Sequence, residues 1–498
     1  MMADLILGID VGTTAVKLVV IAADGTLMHG YSENYPIHRH GGAFVEQDPD
    51  DWVHRMDAGI AGLVAKGLAP RICAIGVTSQ VNTHVFLDAS GRPLVPAIVW
   101  QDGRAEAEAL ALEARVSVEQ KLAWFGAPIP IDASHPLSRM AWMRRHRPEV
   151  WAATRWVVLP KDLCLHHLTG EMHTDAVSNV GIANENGFVA EVLALVPGAA
   201  ERLAPLCGPA EVAGVVKHGA LKGVPVVTCT MDGWCSIFGA AGAQDGSGTH
   251  VSGTSEIMGI VSRNVTPTPG VVVFPELSGL RIHAGPTQSG GASLAWFCNW
   301  AGLTPERAGA LVSDAPRRAL TPLFLPHISG ERAPLWNGDL RGAFLGLDAS
   351  CDLADLARAV MEGVGFSARH ALESLETSAG VRPDHLTCGG GGFRSAVWTQ
   401  IKANIMGRPM VPLAVNEPGL LGACALAAFG ADIFPSLATA QSALVTHLDP
   451  VLPDPDRRGL YDDLFGLYTE AVDVNAALHA RLVARAAIYA GTGTGIML

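Results

Sequence analysis

Apolar and polar positions alternate along this chain with two periods, one typical of strands and one typical of helices. Near the start, apolar runs separated by short polar turns predict a three-strand meander at residues 5–10, 15–23 and 27–35. Later strands are predicted at 72–78, 84–87, 224–230 and 386–388, and helices at 51–66, 104–115, 355–375 and 394–406. Because strands alternate with helices in both halves, the pattern indicates an α/β architecture.

One strand–turn–strand pattern occurs twice, with its turn at 12–14 and again at 253–255, an offset of 241 (253 − 12). Glycine lets backbone amides approach a ligand closely and hydroxyl residues add donors, so both turns suit phosphate oxygens. The residues concerned are Gly12, Thr13, Thr14, Gly253, Thr254 and Ser255. Two such turns suggest two related domains that hold one polyphosphate.

Only the first turn follows an acid, because Asp10 corresponds to Val251 in the second copy. A carboxylate beside phosphate-binding turns is the arrangement that a magnesium–nucleotide site needs, which makes Asp10 the candidate metal residue. In isolation, Asp10 would be interpreted as a turn-capping aspartate. Lys17, inside the next apolar strand, either neutralises phosphate charge or extends to solvent, and both interpretations stay open.

Length and charge limit the possibilities further. The 498 residues exceed what one compact core normally contains and predict two domains, at 1–246 and 247–498. The glycine-rich segment 242–248 is the candidate hinge, and a flexible tail is expected after about residue 485. A net charge of −13 without a basic block argues against nucleic acid as a partner.

Cysteine usage and hydropathy predict a cytoplasmic protein with no membrane partner. The nine cysteines are scattered without a C-x-x-C pair, which favours buried thiols in a reducing compartment. Asp4 stands where a signal peptide would need positive charge. No uncharged apolar run reaches the length of about 18 residues that a membrane span requires, and the longest candidate, 419–431, has the small residues of a closely packed buried helix.

Asp232 and a glycine run are the strongest remaining candidates for chemistry. Asp232 follows the predicted buried strand 224–230 and precedes Gly233, so it is either an Asp-Gly turn or a general base at a strand end. Gly390, Gly391 and Gly392 lie between a predicted strand and a helix. A backbone without side chains there can lie against a nucleotide, near a favourable helix dipole.

Two polar loops suit a sugar or polyol. Trp100 and Asp102 offer an aromatic platform beside an acid, and Gln80, Val81 and Asn82 offer side-chain amides after a strand. The alternatives are a tryptophan packed in the core with an exposed salt bridge, and ordinary polar loop residues. Walker A, G-x-G-x-x-G and H-E-x-x-H motifs are absent from the sequence.

Taken together, these motifs resemble the FGGY carbohydrate kinases and, among them, most of all the xylulokinases. The resemblance covers nearly the whole chain, and its C-terminal signature from Gly342 to Glu362 is complete. Its N-terminal signature, from Ser134 to His146, has one change, because Arg139 stands where the pattern has lysine. Further matching segments are Gly8 to Thr14, Glu46 to Pro49, Trp100 to Arg104, Leu159 to Asp162, Thr169 to Glu171, Ser252 to Ser255 and Leu325 to Arg332.

The resemblance implies two actin-like, ribonuclease H-like domains of the sugar kinase, heat-shock and actin superfamily that close over a central cleft. It implies that Asp232 is the catalytic base and that Asp10 belongs to the Mg²⁺–ATP site. Both turns would hold phosphates and the glycine loop would lie along the nucleotide. The N-terminal domain would bind the sugar and the C-terminal domain the nucleotide. Dimers are common in the family, so a homodimer is also to be considered.

Two departures from the family pattern concern the substrate. Xylulokinases usually have Gln-Met-His-Gly at the sugar loop, where this chain has Gln80-Val81-Asn82-Thr83, and bulky Trp234 lies close to the base in sequence. The expected reaction is ATP-dependent phosphorylation of a terminal hydroxyl of a ketose, such as the pentulose D-xylulose, in carbohydrate catabolism. The alternatives are another ketose or a polyol such as a tetritol or glycerol, and a non-kinase actin-like ATPase.

Overall fold

The computed structural model describes residues 4–126 and 128–491, without the side chains of 487–491. The strands are β1 (Leu5–Val11), β2 (Ala15–Ala22), β3 (Leu27–Asn34), β4 (His38–His40), β5 (Phe44–Gln47), β6 (Ile72–Ser79), β7 (Val85–Leu87), β8 (Ala97–Ile98), β9 (Trp156–Val158), β10 (Ala183–Asn184), β11 (Gly187–Phe188), β12 (Val212–Val215), β13 (Pro225–Val227), β14 (Gly248–Ser252), β15 (Glu256–Ser262), β16 (Val272–Val273), β17 (Arg281–Pro286), β18 (Leu323–Leu325), β19 (Ala343–Leu345), β20 (Leu386–Gly389) and β21 (Met410–Pro412). The α-helices are α1 (Pro49–Ala65), α2 (Glu106–Glu113), α3 (Val118–Phe125), α4 (Pro136–His146), α5 (Pro148–Ala153), α6 (Pro160–Thr169), α7 (Ala190–Leu193), α8 (Asp232–Ala241), α9 (Gly291–Ala301), α10 (Pro305–Asp314), α11 (Leu353–Ala379), α12 (Ala396–Met406), α13 (Pro418–Gly430), α14 (Leu437–Leu444) and α15 (Arg458–Gly491).

The chain forms two compact units that are not continuous in sequence. The first contains residues 1–243, 273–279 and 417–446, and the second contains 244–272, 280–416 and 447–498. The division at Ala243/Gln244 lies inside the predicted hinge segment 242–248. Segment 417–446 packs in the first unit, an arrangement that two continuous halves do not include.

The sheet of the first unit has the strand order β12-β13-β6-β1-β2-β3. Strands β1, β2 and β3 form the antiparallel meander, whereas β6 and β13 follow in parallel. Apolar side chains of this sheet, among them Leu7, Ile9 and Ile75, pack with Trp52 and Met56 of α1 in one core. A strand buried on both faces reads as a continuous apolar run, as β1 does.

The second unit repeats this arrangement. Five of its strands lie in the order β17-β15-β14-β20-β21, with β14, β15 and β17 antiparallel and β20 and β21 parallel to β14. Its core includes Phe297, Val360, Phe366 and Tyr461. Both units therefore place a hairpin turn and the ends of parallel strands at one edge of a sheet, where ligands of α/β proteins bind.

Small residues allow helix α13 to lie directly against the first sheet and against α8. A Cβ on Gly76 would lie 2.3 Å from the Ala423 carbonyl oxygen, and one on Gly239 would lie 2.1 Å from the Pro418 carbonyl oxygen. Most of α13 is buried, which confirms the prediction of a closely packed helix over 419–431. Within the described part of the chain, no helix has the length and apolarity to cross a membrane.

The predicted α/β class is confirmed, and the three-strand meander is observed within one residue of its predicted ends. The predicted strand 224–230 is wrong in length. It spans only Pro225–Val227, because the backbone turns at Cys229, whose φ of +49° is left-handed. The tail expected after about residue 485 is helical to Gly491, and residues 492–498 lie outside the described residues.

Candidate active site

Asp10 is the penultimate residue of β1, beside the first turn, and pairs with Lys17 in the antiparallel register. The pKa of Asp10 is raised to about 8, first by burial and then by the carboxylates of Asp232 and Glu417, while Lys17 opposes the shift. Its Oδ1 atom is buried and has no hydrogen-bond partner among the described residues. A partly buried carboxylate with an unused oxygen among other acids is a site that gains from a cation.

The first turn is held by side chains from three other segments of the chain. The Tyr35 hydroxyl donates to the Gly12 carbonyl. The Gln47 amide donates to the Thr13 carbonyl at 2.6 Å, and the Trp100 indole N–H donates to the Thr13 hydroxyl at 3.0 Å. The structure therefore brings Trp100, a predicted sugar residue, to the turn predicted to bind phosphate.

The Lys17 ammonium group is not free in solvent but forms an ion pair. Its Nζ lies 2.7 Å from Glu417 Oε2, and the two side chains are 37% and 32% exposed. Glu417 precedes helix α13, and the Thr14 side chain beside the turn is exposed. The ion pair joins residues 400 positions apart in sequence, so the sequence alone carried no signal for it.

Asp232 is the first residue of α8 and follows the sharp turn at Cys229. Burial raises the pKa of Asp232 to about 6, although the backbone N–H of Gly233, at 2.7 Å from Oδ1, opposes the shift. Trp234 does not face solvent: it is buried and stacks on Phe238 with ring centroids 5.0 Å apart. A carboxyl with a pKa near 6 is ionised at neutral pH and can accept a proton.

The loop predicted to bind the sugar is built on a network of amides. Gln80 is buried and donates to Gln47 Oε1 at 2.8 Å, while its own Oε1 has no partner among the described residues. Asn82 adopts a left-handed φ of +54° and donates to the Ser134 hydroxyl at 3.2 Å. Val81 between them is half-buried. Gln80 therefore has an unused acceptor oxygen. Its amide nitrogen is hydrogen-bonded to Gln47, the residue that donates to the Thr13 carbonyl.

Arg139, which stands where the N-terminal signature has lysine, is hydrogen-bonded to this loop. Its fully buried guanidinium donates to the carbonyl of Asn82, and also to the carbonyls of Ile98 at 2.7 Å and Val99 at 2.6 Å. Burial lowers the pKa of Arg139 to about 9. A planar guanidinium can serve three carbonyls at once, which the single ammonium of lysine does less well.

The Asp102 carboxylate is fully engaged in hydrogen bonds to neighbouring residues. Its carboxylate accepts the backbone N–H of Val45 at 2.6 Å and three N–H groups of Arg104 at 2.7–2.9 Å. Arg104 also contacts Glu46 at 2.8 Å. The alternative of an exposed salt bridge at this position is wrong, because both side chains of the Asp102–Arg104 pair are at most 5% exposed.

The second turn lies against the start of helix α9. Gly253 donates its N–H to the Ser255 carbonyl at 2.9 Å. The N–H groups of Gly291 and Ala292 then donate to the carbonyls of Gly253 and Thr254 at 3.0 and 2.9 Å. Gly253 and Thr254 are exposed. The N–H of Gly253 is used within the turn, so the exposed Thr254 hydroxyl and the open backbone surface beside it are what the turn offers to an anion.

Behind this turn lies a cluster of fully buried polar groups. Lys402 Nζ contacts the Ser252 hydroxyl at 2.7 Å and Glu256 Oε2 at 3.0 Å, and His250 also contacts Glu256. Burial alone would raise the pKa of Glu256, but Lys402 and His250 lower it to about 2. The cluster therefore holds an ionised Glu256 at the base of the turn.

The glycine loop packs directly on Ser252. Gly390 has a φ of +93°, and a Cβ there would lie 2.4 Å from the Ser252 carbonyl oxygen. On Gly392 a Cβ would lie 1.9 Å from the Ser252 hydroxyl oxygen, whereas at Gly391 it would meet open space. Asn416, which was not predicted as a site residue, accepts from the Gly390 N–H at 2.5 Å and donates to its carbonyl at 3.0 Å. The glycine loop and the second turn thus form one backbone surface.

The chain matches known carbohydrate kinases over most of its length. The sequence matches the N-terminal domain of the FGGY family of carbohydrate kinases over residues 5–239 and the C-terminal domain of that family over 248–431. It is 29% identical to the xylulose kinase of Escherichia coli (strain K12), over 91% of this chain and 96% of that protein. It is 27% identical to the gluconokinase of Bacillus subtilis (strain 168), over 85% and 87% of the two chains.

A solved structure shares the fold. The ligand-bound xylulose kinase of Lactobacillus acidophilus superposes with a TM-score of 0.84 at 25% identity, over 96% of this chain and 99% of that one. The expected family, α/β fold and enzyme class are confirmed. The protein is a phosphotransferase acting on a carbohydrate, and the chain belongs to the FGGY family of carbohydrate kinases.

Proposed function

We propose that this kinase transfers the γ-phosphoryl group of ATP to a terminal hydroxyl of a pentulose, with D-xylulose as the first candidate, and that Asp232 is the base. The observation that carries the proposal is the position of Asp232, at the start of α8 with its pKa raised by burial to about 6. The xylulose kinases among the relatives support the choice of sugar.

The proton and bond changes follow from this assignment. An Asp232 carboxylate oxygen accepts the proton of the attacking hydroxyl, and that hydroxyl oxygen forms a bond to the γ-phosphorus. The bond between the γ-phosphorus and the oxygen that bridges to the β-phosphate breaks, and ADP leaves with the electron pair. Because a carboxyl with a pKa of about 6 is mostly ionised above pH 7, the base is ready for proton transfer in that range.

Mg²⁺ and the phosphates fit the residues of both turns. The unused Oδ1 of Asp10 fits a hard cation that prefers oxygen ligands. When bound, the ion neutralises negative charge on the phosphate oxygens. We assign Gly12, Thr13, Thr14 and Lys17 in the first unit to the phosphates. In the second unit the corresponding residues are Gly253, Thr254 and Ser255, with Gly390, Gly391 and Gly392 along the nucleotide.

The sugar is assigned to the first unit. Gln80 offers an unused acceptor and Trp100 an aromatic surface, with Val81 and Asn82 on the same loop. Asp102 contributes by fixing Arg104. Replacing the family's usual histidine by Asn82 removes a titratable group from this loop, so we expect sugar selection to depend little on pH between 6 and 8. We also propose that the enzyme acts in the cytoplasm, where ATP is available; all nine cysteines are free thiols.

ADP production across a substrate panel tests the proposal. The panel comprises D- and L-xylulose, D- and L-ribulose, erythritol, glycerol and gluconate, each with Mg²⁺–ATP. Strong turnover on one pentulose supports the proposal. Turnover only on a polyol or on gluconate contradicts the pentulose assignment but keeps the kinase chemistry, whereas ATP hydrolysis that ignores every sugar favours the non-kinase alternative. Gel filtration of the same sample decides between monomer and homodimer.

A further inference from the structure

A buried ion cluster contacts the segment that leads to the proposed base. Lys161, at the start of α6, has its Nζ 2.8 Å from Asp162 Oδ1 and 2.8 Å from Asp175 Oδ2. All three side chains are fully buried. The second oxygen of Asp162 accepts the backbone N–H of Leu159 at 3.0 Å and so closes the start of the helix. One ammonium thus serves two carboxylates in the interior of the first unit.

Burying three charged side chains costs desolvation free energy. Burial lowers the pKa of Lys161, and only Asp162 and Asp175 together raise it above its usual value. Burial also raises the pKa of Asp162. Because desolvation of buried ions offsets most of their attraction, a cluster of this kind adds little net stability. We therefore ask which part of the chain the cluster holds in a fixed position.

The cluster continues by hydrogen bonds to the segment that carries Asp232. Asp175 Oδ1 accepts from the Thr230 hydroxyl at 2.8 Å and from the backbone N–H of Ser178 at 2.8 Å. The Thr230 carbonyl accepts from the Thr78 hydroxyl at 2.6 Å. Thr230 is fully buried and stands two residues before Asp232. Both polar ends of Thr230 are therefore fixed, one by the ion cluster and one by β6.

This segment needs to be held, because its backbone is strained. Cys229 is a buried, non-glycine residue with a φ of +49°, a conformation that costs on the order of 1–2 kcal/mol for an L-residue. It redirects the chain from β13 to the start of α8. Without the Thr230 anchor, relaxation at Cys229 would displace the Asp232 carboxylate.

We propose that Lys161 and Asp175 are positioning residues for the proposed base: they fix Thr230, and Thr230 fixes the place of Asp232. The inference rests on the proposed function of Asp232 and goes beyond it, because it gives a role in turnover to three fully buried residues outside the proposed sugar and nucleotide residues.

The test replaces Thr230, where a single hydroxyl can be removed at nearly constant volume. In Thr230→Val we expect kcat to fall about 10- to 100-fold, since a displacement of about 1 Å can reduce turnover by that order. The KM for ATP should stay within about twofold, because the nucleotide residues are untouched. Thr230→Ser keeps the hydroxyl and should restore most of kcat. A residue that only supports folding would lower the amount of active enzyme, so calorimetry with Mg²⁺–ATP measures the fraction of binding-competent protein in each preparation.

Two comparisons keep the outcomes distinct. If Asp232→Ala turns over normally, the base assignment fails and the positioning role fails with it. If Asp232→Ala is inactive but Thr230→Val has wild-type kcat, or loses kcat only in proportion to binding-competent protein, the positioning role alone is overturned. Lys161→Arg keeps the charge in a different shape, and we expect its kcat, like that of Thr230→Val, to fall at unchanged KM for ATP.

Discussion

The two hairpins have the same topology but differ in how far their charged groups are buried. Each leads through a Gly-Thr turn from one antiparallel strand to the next, beside a parallel strand. Each also has a lysine–glutamate pair nearby. In the first unit, Lys17 and Glu417 are about one-third exposed at 2.7 Å, whereas in the second unit Lys402 and Glu256 are fully buried at 3.0 Å.

The difference indicates a division of labour between the two units. The buried pair is locked in a network that supports its turn, and it has no freedom to exchange partners. The exposed pair can be separated by an anion at small cost. Asp10 strengthens the contrast, because its counterpart in the second hairpin is the buried apolar Val251. We therefore infer that the charges at the first hairpin can rearrange around a ligand, whereas the second hairpin provides a fixed backbone surface.

The largest expected effect is on stability, at the buried pair. Lys402→Met leaves Glu256 and His250 buried without a cation, and removing one partner of a buried ion pair typically costs about 3–5 kcal/mol. Lys17→Met is the matched variant at the exposed pair, where we expect a change within about 1 kcal/mol. Denaturant unfolding of both variants measures the difference. Equal losses would contradict the division between a fixed and an exchangeable pair.

The second effect concerns pH and Asp10. Because the pKa of Asp10 is raised to about 8 in the folded protein, the folded state keeps a proton that the unfolded chain releases near pH 4. The free energy of unfolding therefore falls as pH rises from about 4 to 8, by at most about 1.4 kcal/mol per pH unit from this residue. In Asp10→Asn this loss is absent, so the variant should gain stability over wild type from pH 5 to pH 8 without Mg²⁺.

Thermal unfolding at both pH values checks this prediction. Asp24→Asn is the control, because backbone and side-chain hydrogen bonds lower the pKa of Asp24, which is ionised throughout this range. It should show no change in relative stability between pH 5 and 8. An Asp10→Asn variant that loses stability relative to wild type as pH rises would contradict the raised pKa.

The third effect separates folding from phosphate binding at the second turn. A Cβ on Gly253 would lie 3.7 Å from its nearest neighbour, the Ser255 carbonyl oxygen, so Gly253→Ala should fold normally. If phosphate approaches this backbone, the methyl group should raise the KM for ATP about tenfold. Gly392→Ala is the contrasting variant, because its Cβ would lie 1.9 Å from the Ser252 hydroxyl oxygen and should destabilise the fold. An unchanged KM in Gly253→Ala would remove this turn from the phosphate site.

The smallest effect is expected at the exposed pair. Glu417→Gln releases Lys17 from its partner, and we expect ATP to bind about two- to fivefold more tightly, as the loss of a weak ion pair suggests. Loss of one negative charge could act without Lys17, so the same change is made in a Lys17→Met background. There we expect no gain, and calorimetric titration of ATP into the four proteins measures the coupling. A gain of equal size in both backgrounds would contradict an exchange of partners.

Several features of the fold could be predicted from short local patterns in the sequence. The paired turns, Asp10 at its strand end and Asp232 before a glycine are visible as short patterns, and the meander follows from apolar periodicity. The structure adds pairs that are far apart in the chain. Glu417 approaches Lys17 only because small residues let helix α13 lie against the first sheet. Asn416 is hydrogen-bonded to Gly390, 26 positions away in sequence, and no periodic pattern in the sequence predicts that contact.

The premature end of β13 shows a second kind of limit. The uncharged, mostly apolar run to Thr230 predicts a longer strand, but the chain turns at Cys229, which adopts a left-handed conformation. A single sequence does not reveal which of several apolar residues adopts a left-handed conformation. Positions of this kind often adjoin functional groups, and here the turn leads directly to the proposed base.

The most direct test of the account is turnover by Asp232→Ala, measured as sugar-dependent ADP production alongside calorimetric binding of Mg²⁺–ATP. We predict that kcat falls by about 10²- to 10⁴-fold, the contribution of a general base, while the affinity for Mg²⁺–ATP changes by less than about threefold. Near-normal turnover in this variant would contradict the role of Asp232. Loss of nucleotide binding together with turnover would instead place Asp232 in the nucleotide site.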